Sequence, residues 1–135
     1  FLGEIGKVIL AAKQKESLVP LAIALEKQVE ALGLTAMTIG GAAMNEKYAA
    51  AFANAHPFLE VTGDVALGWM HLLRALKATT ALENKPKEKD RIFYEGIITT
   101  ARFYMETVLP VTFGKMKSVQ GLSDAALAID EAAFG

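Results

Sequence analysis

The sequence has no cysteine among its 135 residues. Disulfide bonds and thiolate metal centres are therefore excluded as sources of stability or chemistry. Only four prolines are present, and no segment alternates apolar and polar residues for the length of a strand. The chain has few positions that interrupt a helix and no pattern that predicts a β-sheet.

An excess of charge of one sign is also missing, because 14 Lys and Arg stand against 15 Asp and Glu and the net charge is −1. Proteins that bind nucleic acid usually carry a basic surplus, so we expect no nucleic-acid partner. The longest uncharged stretch, residues 31–45, is shorter than the roughly 20 apolar residues that span a bilayer. We therefore expect no membrane partner and a cytoplasmic location.

Alanine is abundant, with 23 copies in a chain that is 53% apolar. It is the best helix former because it loses no side-chain entropy in a helix. The chain begins at Phe1 with no basic-then-apolar leader. A start without methionine inside a helical pattern predicts a segment of a longer polypeptide.

Apolar residues at steps of three and four predict six helices. Three are long, one is shorter and N-terminal, and two are small additions. Short connections make successive helices antiparallel neighbours. The sequence thus predicts an all-α fold, an up-down antiparallel bundle of about four main helices in one domain over residues 1–135. The predicted helices cover residues 2–14, 18–43, 46–55, 57–82, 90–109 and 124–133.

Helix ends are predicted from capping residues. Ser17, Asn45, Asp90 and Ser123 each stand before a predicted helix as a candidate N-cap. His56-Pro57 predicts a boundary, since the residue before proline avoids the helical region. Pro110 is expected to close or kink the helix over 90–109.

The inner faces follow from the same spacing. Trp69, Leu73 and Leu76 widen the stripe of the 57–82 helix beyond what one neighbour covers, and we expect Trp69 to anchor the core. In the 90–109 helix we expect Phe93 and Phe103 to point inward. The predicted inner rows are Leu21, Leu25, Val29, Leu32, Ala36, Ile39 and Ala43; Phe58, Val61, Val65, Gly68, Leu72, Ala75, Thr79 and Leu82; and Ile97, Ile98, Ala101, Tyr104, Met105 and Val108.

Helical bundles can hold a carboxylate-bridged metal pair, which requires inward Glu and Glu-x-x-His pairs from several helices. The chain has no Glu-x-x-His. His56, Glu60 and Asp64 follow at steps of four, with His71 further on, but all lie on one helix. The favoured interpretation is a polar outer stripe, and no metal ligand is predicted.

Catalytic patterns are equally sparse. No nucleophile elbow occurs, and Gly40-Gly41 lacks the rest of a phosphate loop. Glu95 and Glu106 fit surface ion pairs better than a general base. The charged segment 83–90 is either a cationic clamp for phosphates, such as those of coenzyme A, or a solvated turn, and the turn is favoured. The sequence predicts no catalytic, cofactor-binding or metal-binding residue.

Two segments carry a resemblance to a known family. Positions 93–104 read FYEGIITTARFY and are followed by Val108-Leu109-Pro110, while positions 58–69 read FLEVTGDVALGW. Both resemble motifs of the extra C-terminal domain of certain acyl-CoA dehydrogenases, including the 3-methylmercaptopropionyl-CoA dehydrogenase-like enzymes. One departure is Ile97, where the family pattern has lysine, which indicates a lipid-like or protein-facing environment.

The resemblance implies a parent enzyme that oxidises acyl-CoA thioesters at Cα–Cβ. In the family a glutamate removes the α-proton, the β-hydride passes to FAD, and an electron-transfer partner reoxidises the flavin. Those parts belong to upstream domains, so FAD is implied for the parent and none for this segment. The implied partners are the upstream domains, further copies of the chain as a homo-oligomer, and the acyl-CoA substrate of the whole enzyme.

Two alternatives stay open beside a C-terminal domain with a packing or oligomerisation role. One is a stand-alone helical binding module with an apolar groove for a partner helix or an acyl chain. The other is a small metal-binding bundle. From the wide stripe at Trp69, Leu73 and Leu76, and from Ile97, we also expect a docking surface that the isolated segment hides by self-association.

Overall fold

The computed structural model describes residues 1–135 and contains helices joined by short turns, with no strand. The predicted all-α class is confirmed. None of the helices combines the length and the apolar character that a bilayer span requires. The helices are α1 (Leu2–Lys13), α2 (Val19–Met44), α3 (Tyr48–Ala53), α4 (Ala55–Glu83), α5 (Glu88–Phe103), α6 (Leu109–Gln120) and α7 (Ala125–Ala128), with 3₁₀ turns at Glu16–Leu18 and Glu131–Phe134 and a π turn at Tyr104–Val108.

The bundle has four main helices, which are α1, α2, α4 and the continuous helix formed by α5, the π turn and α6. Contacts between side chains fix their directions. Lys13 of α1 binds Glu26 of α2, and Lys15 binds Glu83 at the end of α4. Thr112 of α6 binds Asp64 of α4, deep in the first half of that helix. Successive main helices therefore run in opposite directions, and the predicted up-down bundle is confirmed.

The core is tightest where α2, α4 and α6 meet at Gly68. A Cβ atom on Gly68 would lie 3.0 Å from Cδ1 of Leu25 and 3.4 Å from Cδ1 of Leu109. The absent side chain is thus what lets three helices approach one another. The buried core cluster comprises Ile5, Ile9, Ala12, Leu18, Leu21, Ala22, Leu25, Leu32, Val61, Val65, Leu72, Ala75, Ala101, Tyr104, Met105, Leu109 and Met116.

Several predicted caps are wrong. Ser17 lies in a 3₁₀ turn, and α2 begins at Val19 without a side-chain cap. Asn45 ends α2 and does not start the next helix, which is shorter than predicted. Asp90 lies inside the first turn of α5. In each case the turn closes through backbone hydrogen bonds, so the capping hydroxyl, amide or carboxylate is not needed.

The predicted helix boundaries at His56-Pro57 and at Ser123 also differ from the observed ones. His56 lies within α4, and Pro57 occupies the first turn, where its missing N–H removes no intrahelical hydrogen bond. The Ser123 hydroxyl accepts a hydrogen bond from the backbone N–H of Ala125 at 3.3 Å, but the N-cap of the last α-helix is Asp124 and not Ser123. The helix it precedes, α7, is much shorter than predicted.

The largest correction concerns α6, since Pro110 does not close the helix. Proline in a regular α-helix clashes with the carbonyl four residues earlier and donates no hydrogen bond. Here the π turn at Tyr104–Val108 widens the backbone just before it, and Pro110 becomes the second residue of α6. The helix therefore continues to Gln120.

The predicted inner row is correct along most of α4 but shifts on α2. Gln28, Thr35 and Ala42 are buried there, whereas Ala36 is exposed. Two of these buried positions are polar, and a spacing rule that follows only apolar residues passes over them. On α4 the buried residues are Val61, Val65, Gly68, Leu72, Ala75 and Ala78.

Replacing Gly68 with valine should lower the free energy of unfolding by about 1–3 kcal/mol, because the added methyl groups collide with Leu25 and Leu109. Gly63→Ala is the matched control on the same helix. A Cβ at Gly63 meets nothing within 4 Å, so alanine should raise stability by about 0.5–1 kcal/mol. Urea denaturation followed by circular dichroism measures both, and an equally stable Gly68→Val would contradict the packing described.

Candidate docking site

A polar network joins α4 to the π turn and α6 around Asp64. One oxygen of its carboxylate accepts hydrogen bonds from Thr112 Oγ1 at 2.9 Å and from Lys115 Nζ at 3.2 Å. The backbone carbonyl of Asp64 accepts a third hydrogen bond, from the Tyr104 hydroxyl at 2.8 Å. This single position thereby fixes the widened part of the helix against α4.

His71 stacks on Tyr104 within the same network, with ring centroids 4.6 Å apart. Burial, and then the positive charge of Arg74, lowers the pKa of His71. Burial, and then the negative charge of Asp64, raises the pKa of Tyr104 to about 12. Both rings are therefore neutral near pH 7, and their stacking links α4 to the π turn.

A second pair of polar contacts joins α2 to α6. Gln28 Nε2 donates to the carbonyl of Leu109 at 2.6 Å. Gln120 Nε2 donates to the Thr35 hydroxyl at 2.8 Å, and that hydroxyl donates to the carbonyl of Ala31. These buried bonds fix the register of the two helices, because a slip would leave the amide of Gln28 without its acceptor.

The four residues considered as metal ligands lie in two different environments. His56 lies 3.5 Å from Glu60 on an exposed surface, as a polar outer stripe predicts. Asp64 and His71 instead belong to the partly buried network, so the outer-stripe interpretation is wrong for them. No cluster of three or more His, Cys, Asp or Glu side chains lies close enough to hold a metal ion.

The two glutamates considered as bases lie on the surface of the continuous helix. Glu95 accepts a hydrogen bond from Arg91 at 2.6 Å, and Arg91 also binds Glu88. Glu106 lies 3.9 Å from Arg102. The hydrogen bond from Arg91, and then its charge, lowers the pKa of Glu88. These are ion pairs of a solvated helix face, as expected.

The charged segment predicted as a loop over 83–90 is half helical. Glu83 ends α4 and pairs with Lys15 at 2.7 Å, while α5 already begins at Glu88. Residues 84–87 form the connection, and Lys85 has a positive φ of 49°. The solvated turn is therefore shorter than predicted.

One side of α5 is apolar and exposed. Only Ala101 of α5 is fully buried, whereas Ile92, Phe93 and Phe103 are 58%, 61% and 62% exposed. The prediction that both phenylalanines point inward is wrong. Ala101, which is small, occupies the buried position of the helix, and the two phenylalanines lie on other sides of it.

We call this surface the α5 outer face, and it comprises Ile92, Phe93, Gly96, Ile97, Thr100 and Phe103. Apart from Phe103, these residues line an open depression of about 330 Å³ together with Arg74 of α4. Ile97 is half-buried at its edge. The expected protein-facing surroundings of Ile97 are thus partly provided by α4, with a charge nearby.

The wide stripe of α4 is covered inside the bundle. Trp69 and Leu76 pack against the core cluster, and Leu73 is half-buried. The ring of Phe1 meets that of Trp69 edge-to-face, with centroids 6.0 Å apart. Contact with several helices is confirmed, but these three residues do not form the expected docking surface.

The accessible surface of the chain is larger than its mass predicts. It measures 8513 Å², whereas a folded monomer of 14.5 kDa has roughly 6,900 Å². The surplus is about 1,600 Å², roughly twice the ~800 Å² that each partner buries in a standard protein–protein interface. Exposed apolar patches mark interaction sites, and the α5 outer face is the clearest such patch.

Comparison with known proteins now gives this fold a family. Residues 1–130 match the family model described as acetyl-CoA dehydrogenase C-terminal like. The chain belongs to this family. It is 32% identical over 77 residues to a broad-specificity linear acyl-CoA dehydrogenase of Mycobacterium tuberculosis, and 37% identical over 68 residues to a butyryl-CoA dehydrogenase of Syntrophomonas wolfei.

These alignments include 57% and 50% of the chain but only 13% and 11% of the two relatives. The chain thus spans about an eighth of the length of the curated relatives it matches. The resemblance seen in the two sequence motifs is confirmed at the level of an acyl-CoA dehydrogenase C-terminal domain.

Two buried side-chain polar atoms lack a hydrogen-bond partner, the acceptor Gln28 Oε1 and the donor Trp69 Nε1, and both lie among packed helices. Leu25 and Leu109 fill the space above Gly68. The phosphates of FAD need several converging donors, whereas Trp69 Nε1 is a single donor.

Tyr104→Phe should lower the free energy of unfolding by about 0.5–1.5 kcal/mol near pH 7, because it removes the hydrogen bond to the Asp64 carbonyl. Tyr94→Phe is the control on the same helix. Since folding raises the pKa of Tyr104 to about 12, the unfolded chain ionises first, near pH 10. The native protein should therefore lose stability between about pH 10 and 12, and Tyr104→Phe should lose less. Equal pH dependence in both proteins, measured by urea denaturation, would contradict the assignment.

Proposed function

We propose that this chain is the C-terminal helical domain of an FAD-dependent acyl-CoA dehydrogenase that oxidises acyl-CoA thioesters at Cα–Cβ. Within that enzyme the domain has a packing and oligomerisation role and supplies no catalytic residue. The observation that carries the proposal is the match of residues 1–130 to the family, joined to an apolar face that the domain does not cover itself.

Further parts of the proposal follow from the family. Removal of the α-proton and transfer of the β-hydride to FAD are assigned to upstream domains, which are the partners of this one. The parent is placed in the 3-methylmercaptopropionyl-CoA dehydrogenase-like subgroup, in the cytoplasm and as a homo-oligomer. A non-catalytic role is supported by Glu95 and Glu106, which are exposed and lie beside arginines.

A second candidate function rests on a different surface. An apolar depression of about 180 Å³ lies between α1, α2 and α4, lined by Phe1, Leu2, Leu32, Gly33, Ala36, Phe58 and Thr62. Such a site suits a stand-alone module that binds a short acyl chain or one side chain of a partner. Titration with acyl-CoA thioesters, followed by the fluorescence of Trp69 beside Phe1, distinguishes the two functions, since only the second predicts saturable binding to the isolated chain.

The purified chain should be colourless and inactive, because it provides no flavin cradle and no general base. The assay incubates it with FAD, a panel of acyl-CoA thioesters and an artificial electron acceptor. The longer polypeptide that contains this chain is the positive control, and acyl-CoA should bleach its flavin absorbance. Turnover by the isolated chain, or FAD retained on it through gel filtration, would place the chemistry within these residues.

The isolated chain should also self-associate, and Ile97→Lys should weaken the association without loss of helicity. A lysine there would bring a second positive charge to the depression beside Arg74, and burying an unpaired charge in an interface is costly. Ile23→Lys, an exposed position on α2, is the matched control. Sedimentation velocity over a wide concentration range decides, and a monomer at the highest concentration would remove the oligomerisation role.

A further inference from the structure

The depression on the α5 outer face has a basic rim as well as an apolar floor. Ile92, Phe93 and Ile97 supply the apolar part, and Arg74 of α4 stands beside them. Arg74 is exposed, and its guanidinium forms no ion pair within the chain. Arginine binds carboxylates through charge-assisted hydrogen bonds. The depression therefore suits a partner that carries carboxylates next to apolar side chains.

Lysines without an ion pair extend this basic rim. Lys89 lies one turn before Phe93 on the same side of α5, and Lys77 lies on α4, one turn from the depression. The connection over residues 84–87 contributes two more lysines. Asp90 is the one acidic residue of this region outside an ion pair, so a positive surplus remains. We call the depression and these lysines the basic groove.

The C-terminal segment, residues 122–135, has the opposite character. It contains no basic residue, its carboxylates form no ion pair, and its large apolar side chains are about half exposed or more. The acidic residues are Asp124, Asp130 and Glu131, and the exposed apolar ones are Leu127, Ile129 and Phe134. Neither α7 nor the 3₁₀ turn after it contains a buried residue. The segment thus has the charge and the apolar groups that the basic groove lacks partners for.

Within its own chain the segment lies at the other end of the bundle. Leu122, Asp124 and Leu127 line a depression with residues 46–50, which follow α2. Helix α4 begins near that end, and Arg74 lies about 28 Å along the axis from its first residue. A second bundle in antiparallel orientation brings its segment to this groove. A two-fold arrangement of this kind closes, because each copy places its segment in the groove of the other.

From this charge complementarity we infer that the basic groove binds the C-terminal segment of a second copy, with Asp130 and Glu131 at Arg74 and the neighbouring apolar side chains on the floor. The inference rests on the oligomerisation role proposed above and deepens it by naming the segment that joins the copies. Ile97 belongs to the floor. A lysine at position 97 would displace an apolar side chain of the segment, which agrees with the weakening expected for Ile97→Lys.

A fluorescently labelled peptide with the sequence of residues 122–135 tests the groove directly. Its anisotropy should rise on titration with the chain, and added salt should weaken the binding because exposed charges are screened. Arg74→Glu should weaken it about ten-fold, since attraction becomes repulsion. Lys27→Glu, at an exposed position of α2, is the charge-matched control and should have no effect. A peptide with Asp130→Lys and Glu131→Lys should not bind.

Sedimentation velocity tests the exchange between copies. The native chain should dimerise, and an excess of the peptide should return it to monomers. Deletion of residues 122–135 should weaken dimerisation about ten-fold or more. The deletion removes no fully buried residue, and circular dichroism checks that the bundle stays helical.

A mixture of two variants tests the pairing itself. Arg74→Glu and the double variant Asp130→Lys, Glu131→Lys should each dimerise more weakly than the native chain, because like charges meet at both contacts. Their equimolar mixture should recover, since the unchanged Arg74 of one variant meets the unchanged carboxylates of the other. At the second contact the substituted side chains again have opposite charge.

A peptide that does not bind, binding that Arg74→Glu leaves unchanged, or a mixture no stronger than its parts would each overturn the inference. So would a dimer that survives deletion of residues 122–135, and that result leaves the oligomerisation role standing. A segment that folds into its own groove would give a monomeric native chain and exclude the second copy as the partner. The flavin and acyl-CoA assays do not depend on these results, so the two failures are distinct.

Discussion

Leu109 fills the space that a side chain at position 68 would occupy, and Leu25 closes the same space from the third helix. Most of the remaining structure depends on this meeting of α2, α4 and α6. It brings the Leu109 carbonyl to the amide of Gln28, and it holds Thr112 at hydrogen-bond distance from Asp64. Leu109 directly follows the π turn and is the first residue of α6. The π turn therefore connects α5 to a helix, α6, that packs in the core.

The sequence predicts the long helices because their apolar residues recur at steps of three and four, and a bundle is the simplest way to bury four such faces. It predicts the ends of α1, α2 and α4 to within one residue, but not the backbone conformation of the turns that follow. After α2, α4 and α6 the chain turns at Glu46, Lys85 and Leu122, which have positive φ although none is glycine. Glycine at such positions is the usual signal, and it is missing here. Helix α6 was not predicted, because proline usually marks the end of a helix. Here the π turn before Pro110 lets the helix continue.

The candidate docking site was also predicted only in part. Glu95 and Glu106 were predicted to form surface ion pairs, and those contacts are present. The orientation of the helix was predicted, because the expected inner row is buried or half-buried: Ile97, Ile98, Ala101, Tyr104, Met105 and Val108. The inward placement of Phe93 and Phe103 was wrong. The choice between its sides depends on volume: Ala101 permits close approach to α4, whereas a phenylalanine there would hold the helices apart. The signal that was available is the contrast between the small buried Ala101 and the bulky Phe93 and Phe103 on the other side.

The same orientation leaves α5 weakly held. Its long contact is with α4, Ala101 is its only fully buried residue, and the local ion pairs of Arg91 are exposed and contribute little each. A helix with few buried apolar contacts belongs to the part of a protein that opens most readily. Any partner that covers the α5 outer face binds the helical form and not the open one, so its binding energy stabilises α5 by mass action. Binding at the α5 outer face and the helical order of α5 are therefore coupled. The π turn transmits that coupling, because α5 continues through Tyr104 into the network at Asp64 and on to Leu109 in the core.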